Sequence, residues 1–136
     1  MRRLSESGAV MRSLTVVLAT IALPVSLAHA AGDIQAGKTA FARCASCHQV
    51  GPSARAGFGP QLNGIVGRRA GSTPDFNYSD ALKGSGIVWS EQSLAAFLKD
   101  PGKTVPGNKM RFYGMGSDKQ VADLIAYLRQ YPQATP

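Results

Sequence analysis

Cys44-Ala45-Ser46-Cys47-His48 is the stretch from which the rest of the chain is read. Two thiols three positions apart, with an imidazole beside the second, is the spacing of a c-type haem attachment. Separations of three and four residues are one helical turn, so the three side chains share one side of the chain. The thiols can then form thioethers with the two vinyl groups of a porphyrin, while His48 presents a ring nitrogen to the iron. A thioredoxin-like dithiol needs a βαβ setting, and no period-two pattern flanks this motif. A structural zinc site needs four ligands, whereas the chain has two cysteines and two histidines, of which His29 falls in the leader read below. A Cys44–Cys47 disulfide would close too short a loop to staple much.

The 136 residues suffice for one domain. The start reads as a secretory signal peptide over residues 1–30. Arg2, Arg3 and Arg12 precede an apolar run from Leu14 to Leu27, and Ala28-His29-Ala30 is an A-x-A cleavage pattern. The run is shorter than the ~20 residues of a spanning helix. Because it follows so closely, Met11 is an alternative start. Cleavage after Ala30 leaves residues 31–136 as the domain. The leader carries three of the fifteen basic residues and one of the eight acids, so the mature formal charge falls from +7 to +5. That excess suits transient docking on acidic protein partners. No Lys/Arg cluster interleaves with aromatics as nucleic-acid binding would require. A domain this small has a thin core, which a buried porphyrin would thicken. The leader implies export to the periplasm.

In the mature chain Asp33 is placed to cap a helix in which Ile34, Gly37, Ala40, Phe41 and Cys44 recur at helical spacing. Gly37 implies close approach of a second helix, since glycine costs ~1 kcal/mol there. Residues 51–71 are rich in glycine and proline yet contain Phe58, Leu62, Ile65 and Val66. They read as a compact loop packed by its own side chains. Ser79 to Lys83 predicts a short helix ended by Gly84 and Gly86. Ser90 caps a third helix with Leu94, Phe97 and Leu98 on one face, stopped by Asp100-Pro101. A loop from Gly102 to Gly116 follows. Ser117 and Gln120 then form a capping box for a last helix with Val121, Leu124, Ile125 and Leu128 as its stripe. The predicted fold is all-α, with loops wrapped around one prosthetic group.

Once the leader is removed, His48 is the only histidine, so a second axial ligand is a methionine, a lysine or nothing. A thioether is soft and neutral; it favours the ferrous state and blocks entry of small molecules. Met110 lies in Val105-Pro106-Gly107-Asn108-Lys109-Met110, where proline and glycine fix a loop able to reach across a ring. Met115 reads as core filler.

The chain resembles the class I c-type cytochromes, particularly mitochondrial cytochrome c and its bacterial periplasmic relatives. The resemblance rests on the C-A-S-C-H motif, Gly59-Pro60 to Gly71, Phe76-Asn77-Tyr78, Gly86-Ile87-Val88-Trp89, the V-P-G-N-K-M loop and Asp123 to Leu128. It implies the small cytochrome c fold, with N- and C-terminal helices crossing, and one covalent haem c. Cys44 and Cys47 would be the attachments, His48 and Met110 the iron ligands, and the Pro60 carbonyl the acceptor for the other ring N–H of His48. Arg68, Tyr78 and Trp89 would hold the propionates, and Phe112 would cover the haem edge. Gly37 and Phe41 would pack on Leu124 and Tyr127. Phe97, Leu82 and Asn108 stand where the mitochondrial pattern has tyrosine, asparagine and threonine, implying a drier or rearranged distal side. Gly102 occupies a usual lysine position, leaving Arg43, Lys103, Lys109 and Arg111 for docking.

The function so implied is a soluble, monomeric, non-enzymatic one-electron carrier in electron transport. Its partners would be an oxidase, reductase or dehydrogenase, as in a respiratory chain, without stable membrane insertion. The rival from another class is a haem peroxidase or gas sensor with an open distal site. That would need a labile Met110 and a distal acid or base, for which no second histidine is available.

Overall fold

The computed structural model describes residues 32–133; the leader and its cleavage site at residues 1–30 lie outside the described residues. Five helices follow in order: α1 Ile34–Phe41, α2 Asp80–Gly84, α3 Glu91–Lys99, α4 Pro101–Thr104 and α5 Asp118–Leu128. Among the described residues the only β pairing is an isolated bridge between Arg69 and Val88. The architecture is all-α, as expected.

The helix starts are set by side chains that satisfy otherwise orphaned backbone donors. Asp33 accepts from the N–H groups of Gln35 and Ala36, Ser79 from Leu82, and Ser117 from Gln120. The reciprocal capping box is made by Ser90 and Ser93 at α3. At α5 the serine half of the expected box is present, and no return bond from Gln120 is found. The expected loop from Gly102 to Gly116 needs correction. Asp100 ends α3 and at once caps α4, accepting from the Lys103 N–H at 2.9 Å, with Pro101 in the first turn. Proline stops α3 because it has no N–H to donate, and starts α4 because none is needed there.

The terminal helices α1 and α5 form the most extensive helix–helix contact, and α3 packs on α5 beside it. Gly37 is buried at the closest approach, where an added Cβ would run into the Asp123 carbonyl and the Tyr127 Cβ. Phe41 and Tyr127 rings lie 5.4 Å apart at 46°. Trp89 and Phe97 rings lie 5.0 Å apart. Met115 is 3% exposed, inside the cluster formed with Leu94, Leu98, Val121, Leu124 and Leu128. It is filler, as its sequence context implied.

Asp123 joins the start of α1 to α5. Its buried carboxylate accepts from the Asp33 N–H at 2.8 Å and from Lys119 at 2.7 Å. The Lys119 hydrogen bond, followed by that of Asp33, holds the carboxyl below its ordinary range against the opposing effect of burial. A folded-state pKa below the unfolded value of about 3.9 adds stability that is complete above that pH and is lost as pH falls through the folded value. Asp123→Asn is therefore expected to lower the thermal midpoint at pH 7. The gap from the parent should shrink below about pH 4; melting curves at pH 7, 5 and 3 test this, and a pH-independent gap would contradict it.

Candidate functional site

Helix α1 ends at Phe41, and the chain continues through hydrogen-bonded turns that carry the motif. The Cys44 N–H donates to the Phe41 carbonyl at 2.8 Å, and the His48 N–H to the Cys44 carbonyl at 2.8 Å. The second bond is the i to i−4 bond of a helical turn. It puts the two thiols and the imidazole on the wall of one cavity. Both thiols are unpaired; Cys44 is half-buried and Cys47 exposed. Burial pushes the Cys44 thiol up, with Arg43 acting in the opposite sense.

The cavity measures about 510 Å³, within the range of about 300–1,000 Å³ usual for small-molecule sites. Phe41, Leu94, Leu98, Leu124 and Leu128 line its helical side. The loops supply Pro60, Leu62, Tyr78 and Leu82, and the segment before Gly114 supplies Met110 and Phe112. Trp89, Arg68 and Phe97 also line it, while Met115 and Asn108 do not. Each residue singled out for attachment, ligation or edge contact therefore meets the same space.

His48 is the most constrained of these side chains. Its Nδ1 lies 2.8 Å from the Pro60 carbonyl. A carbonyl only accepts, so Nδ1 carries the proton and Nε2 keeps its lone pair. Burial holds the imidazole below its ordinary pKa, and the bond to Pro60 acts the other way. The neutral ring that results is the form a metal ion binds. Gly59 is buried against the ring's face: a Cβ there would stand 2.5 to 3.0 Å from the imidazole atoms.

The carbonyl that holds His48 is itself held. Arg68 donates to the carbonyls of Gln61 and Asn63 at 2.8 and 3.0 Å. The Asn63 amide clasps both the N–H and the carbonyl of Gly51, each at 2.8 Å. The sequence did not single out Asn63; an asparagine beside Gly64 in a glycine-rich loop was the available signal. Tyr78 is buried, with its hydroxyl 2.7 Å from that of Thr73.

Arg68 is 7% exposed and makes no ion pair among the described residues. Burial lowers its pKa, the principal cause being desolvation. Buried charges are ordinarily paired, so the cavity is suited to a ligand that brings its own anionic groups. Arg43, Arg69, Lys109 and Arg111 also line it, and no carboxylate does. Lys103, on α4, is not part of the lining. Phe58 departs from its expected role in packing the loop. It stands 90% exposed at the cavity mouth, and Tyr113 is fully exposed just beyond Phe112. Two thiols, one neutral imidazole, one thioether and a buried cation in an apolar cavity fit a covalently attached haem with carboxylate side chains.

Comparison with known proteins gives the same answer from a different direction. The profile of the Cytochrome c family matches residues 34–132. Cytochrome c2 of Rhodomicrobium vannielii is 46% identical over 119 residues, covering 87% of this chain and 95% of that protein. Cytochrome c2 of Agrobacterium tumefaciens is 50% identical over 100 residues, covering 71% and 90% respectively. The solved structure of cytochrome cH from Methylobacterium extorquens superposes with a TM-score of 0.69 at 46% identity, covering 73% of this chain and 99% of that one.

The contact between Gly59 and the imidazole yields a direct test. Gly59→Ala must displace the ring from Pro60, at about 1–3 kcal/mol, or a fall of roughly 5–20 °C in thermal midpoint for a domain of this size. Gly57→Ala is the control, because its Cβ meets only the Cys47 carbonyl at 3.8 Å. Equal midpoints for the two variants would show that the Gly59 contact does not matter.

Proposed function

The chain belongs to the cytochrome c family, and from that premise we propose how its residues make it a carrier of single electrons. Bound haem c supplies a one-electron couple at its iron. Cys44 and Cys47 would be the attachment points, and His48 Nε2 and the Met110 sulfur would bind the iron. The observation that carries this is that all four line one apolar cavity while Met115 is buried elsewhere.

The protein's own contribution is to hold, shield and dock. Pro60 fixes the tautomer and direction of His48, the outer arrangement that raises ligand basicity. Arg68, with Tyr78 and Trp89 beside it on the wall, receives the carboxylates of the porphyrin. Phe97 and Leu82 exclude water from the side Met110 approaches, and Phe112 covers the ring's edge. With two neutral ligands held by packed side chains, a change of redox state asks little movement of the protein. The mature sequence offers the cavity no second histidine to move a proton, which supports a carrier over a peroxidase.

Residues 1–30 act as an export leader, so the mature carrier works in the periplasm, as a monomer. Its partners are redox proteins that present acidic patches to Arg43, Arg69, Lys109 and Arg111. Phe58 and Tyr113 supply apolar contact inside that basic rim. Such interfaces are small and transient.

Redox titration of the purified holoprotein with optical detection tests the ligand assignment. A single reversible one-electron step with a sulfur-to-iron charge-transfer band in the oxidised form is expected. Met110→Ala should abolish the band and let the ferrous protein bind carbon monoxide, whereas Met115→Leu should do neither. A band that survives Met110→Ala would refute the assignment.

The basic rim makes a second outcome measurable. Oxidation by the anionic hexacyanoferrate(III) should slow as salt is raised, and oxidation by a cationic cobalt(III) complex should quicken. Lys109→Glu with Arg43→Glu should cut the low-salt rate with the anion about tenfold. Phe58→Ser and Tyr113→Ser should leave both salt slopes unchanged. Identical salt slopes for the two oxidants would remove the rim from the mechanism.

A further inference from the structure

Asn108 lies two residues before Met110 and points away from the cavity, yet its amide is fully engaged. Nδ2 donates to the carbonyls of Pro101 and Val105, each at 2.9 Å, and Oδ1 accepts the Met110 N–H at 2.9 Å. Its backbone N–H donates to the Val105 carbonyl at 3.1 Å, closing a turn over Pro106 and Gly107. Gly107 has φ 85°, so proline is followed by a positive-φ glycine, the type II pattern. Among the described residues, the bond to Asn108 is the one hydrogen bond of the Met110 backbone.

The far ends of this clasp are rigid. Pro101 is buried at the start of α4, and Val105, at its end, is 4% exposed in the core. Asp100 couples α4 to α3 by capping both. One amide thus ties the N–H of Met110 to both ends of a helical turn anchored on the core. Removing it leaves Met110 attached through the backbone of an exposed segment, Pro106 to Lys109, of which only Asn108 is half-buried.

We propose that Asn108 is a positioning residue for Met110, its amide setting how firmly the thioether is kept on the iron against a competing ligand. The proposal rests on Met110 being the distal ligand. It adds a role for a side chain that is not part of the cavity wall. Both amide functions are required, two donations toward α4 and one acceptance from Met110. An aspartate would keep the acceptance and lose the donations, turning an oxygen toward two carbonyls.

Imidazole titration of the oxidised holoprotein at pH 7 tests it, read by loss of the sulfur-to-iron band. The imidazole nitrogen replaces sulfur at the iron with no change of oxidation state. Asn108→Ala and Asn108→Asp should retain the band without imidazole and bind imidazole about tenfold more tightly than the parent, as loss of one or two hydrogen bonds implies. Lys119→Ala is the control: it breaks the ion pair with Asp123 far from this loop, and should lower the thermal midpoint without altering imidazole affinity. Should Asn108→Ala fail to assemble, Asn108→Asp alone decides. Affinities within twofold of the parent in the variants that assemble would overturn the proposal, leaving Asn108 a structural residue only. A band that persists in Met110→Ala would overturn the ligand assignment, and this proposal with it; that result is distinguishable because it appears before any imidazole is added.

Discussion

The hydrogen bond between His48 Nδ1 and the Pro60 carbonyl is the interaction on which the rest of the structure depends. It joins two pieces of chain with different jobs. Helix α1 brings the motif to the cavity, and its position is fixed by α5 through Gly37, Phe41 and Asp123. The loop from Gly51 to Gly71 must then return a single carbonyl to within hydrogen-bond reach of the imidazole. Gly59 lets it pass against the ring, and Asn63 and Arg68 keep it there. A neutral imidazole with one nitrogen committed to a carbonyl has its other nitrogen free for a metal. That single commitment gives an otherwise flexible side chain a fixed direction.

The same bonds explain how so much loop stays ordered. The described residues contain only five helices, two of them no longer than five residues. The remainder is held by side chains bonded to backbone: Asn63 to Gly51, Arg68 to Gln61 and Asn63, Asp75 to Ala56, and Asn108 to Pro101 and Val105. Each bond contributes only about 1 kcal/mol net, less than the entropy of ordering the residues it spans. Apolar burial has to supply the difference, and the large apolar lining faces a cavity in this chain's own packing. Folding and cofactor attachment are for that reason one problem, with the haem counting as part of the core.

Much of this was legible in the residues. The helix caps at Asp33, Ser90 and Ser117 could be read because a small polar side chain before an apolar period has one good use. Gly37 announced the helix contact because a buried helical glycine is costly unless a neighbour needs its space. What escaped were features whose meaning depends on partners distant in sequence or on a dual role. Asp100-Pro101 was read as a stop, and its second role as a start was hidden behind the first. Phe58 looked like loop filler, since composition cannot tell an apolar ring inside a loop from one at a rim. Asn63 and Asn108 were opaque for the same reason: an amide's partners are backbone groups, which every residue has.

The expectation of a drier or rearranged distal side concerns the part of the cavity lined by Phe97 and Leu82. Phe97 is buried and packs on Trp89, and Leu82 lines the same cavity. The polar neighbours turn elsewhere: Tyr78 to Thr73, Ser79 to the Leu82 N–H, and Asn108 to its own loop. A wall of this kind solvates an added charge poorly. The apolar wall at Phe97 and Leu82 and the cation at Arg68 are thus separate parts of the cavity lining. The structure separates the two by putting their polar atoms on different segments of the chain.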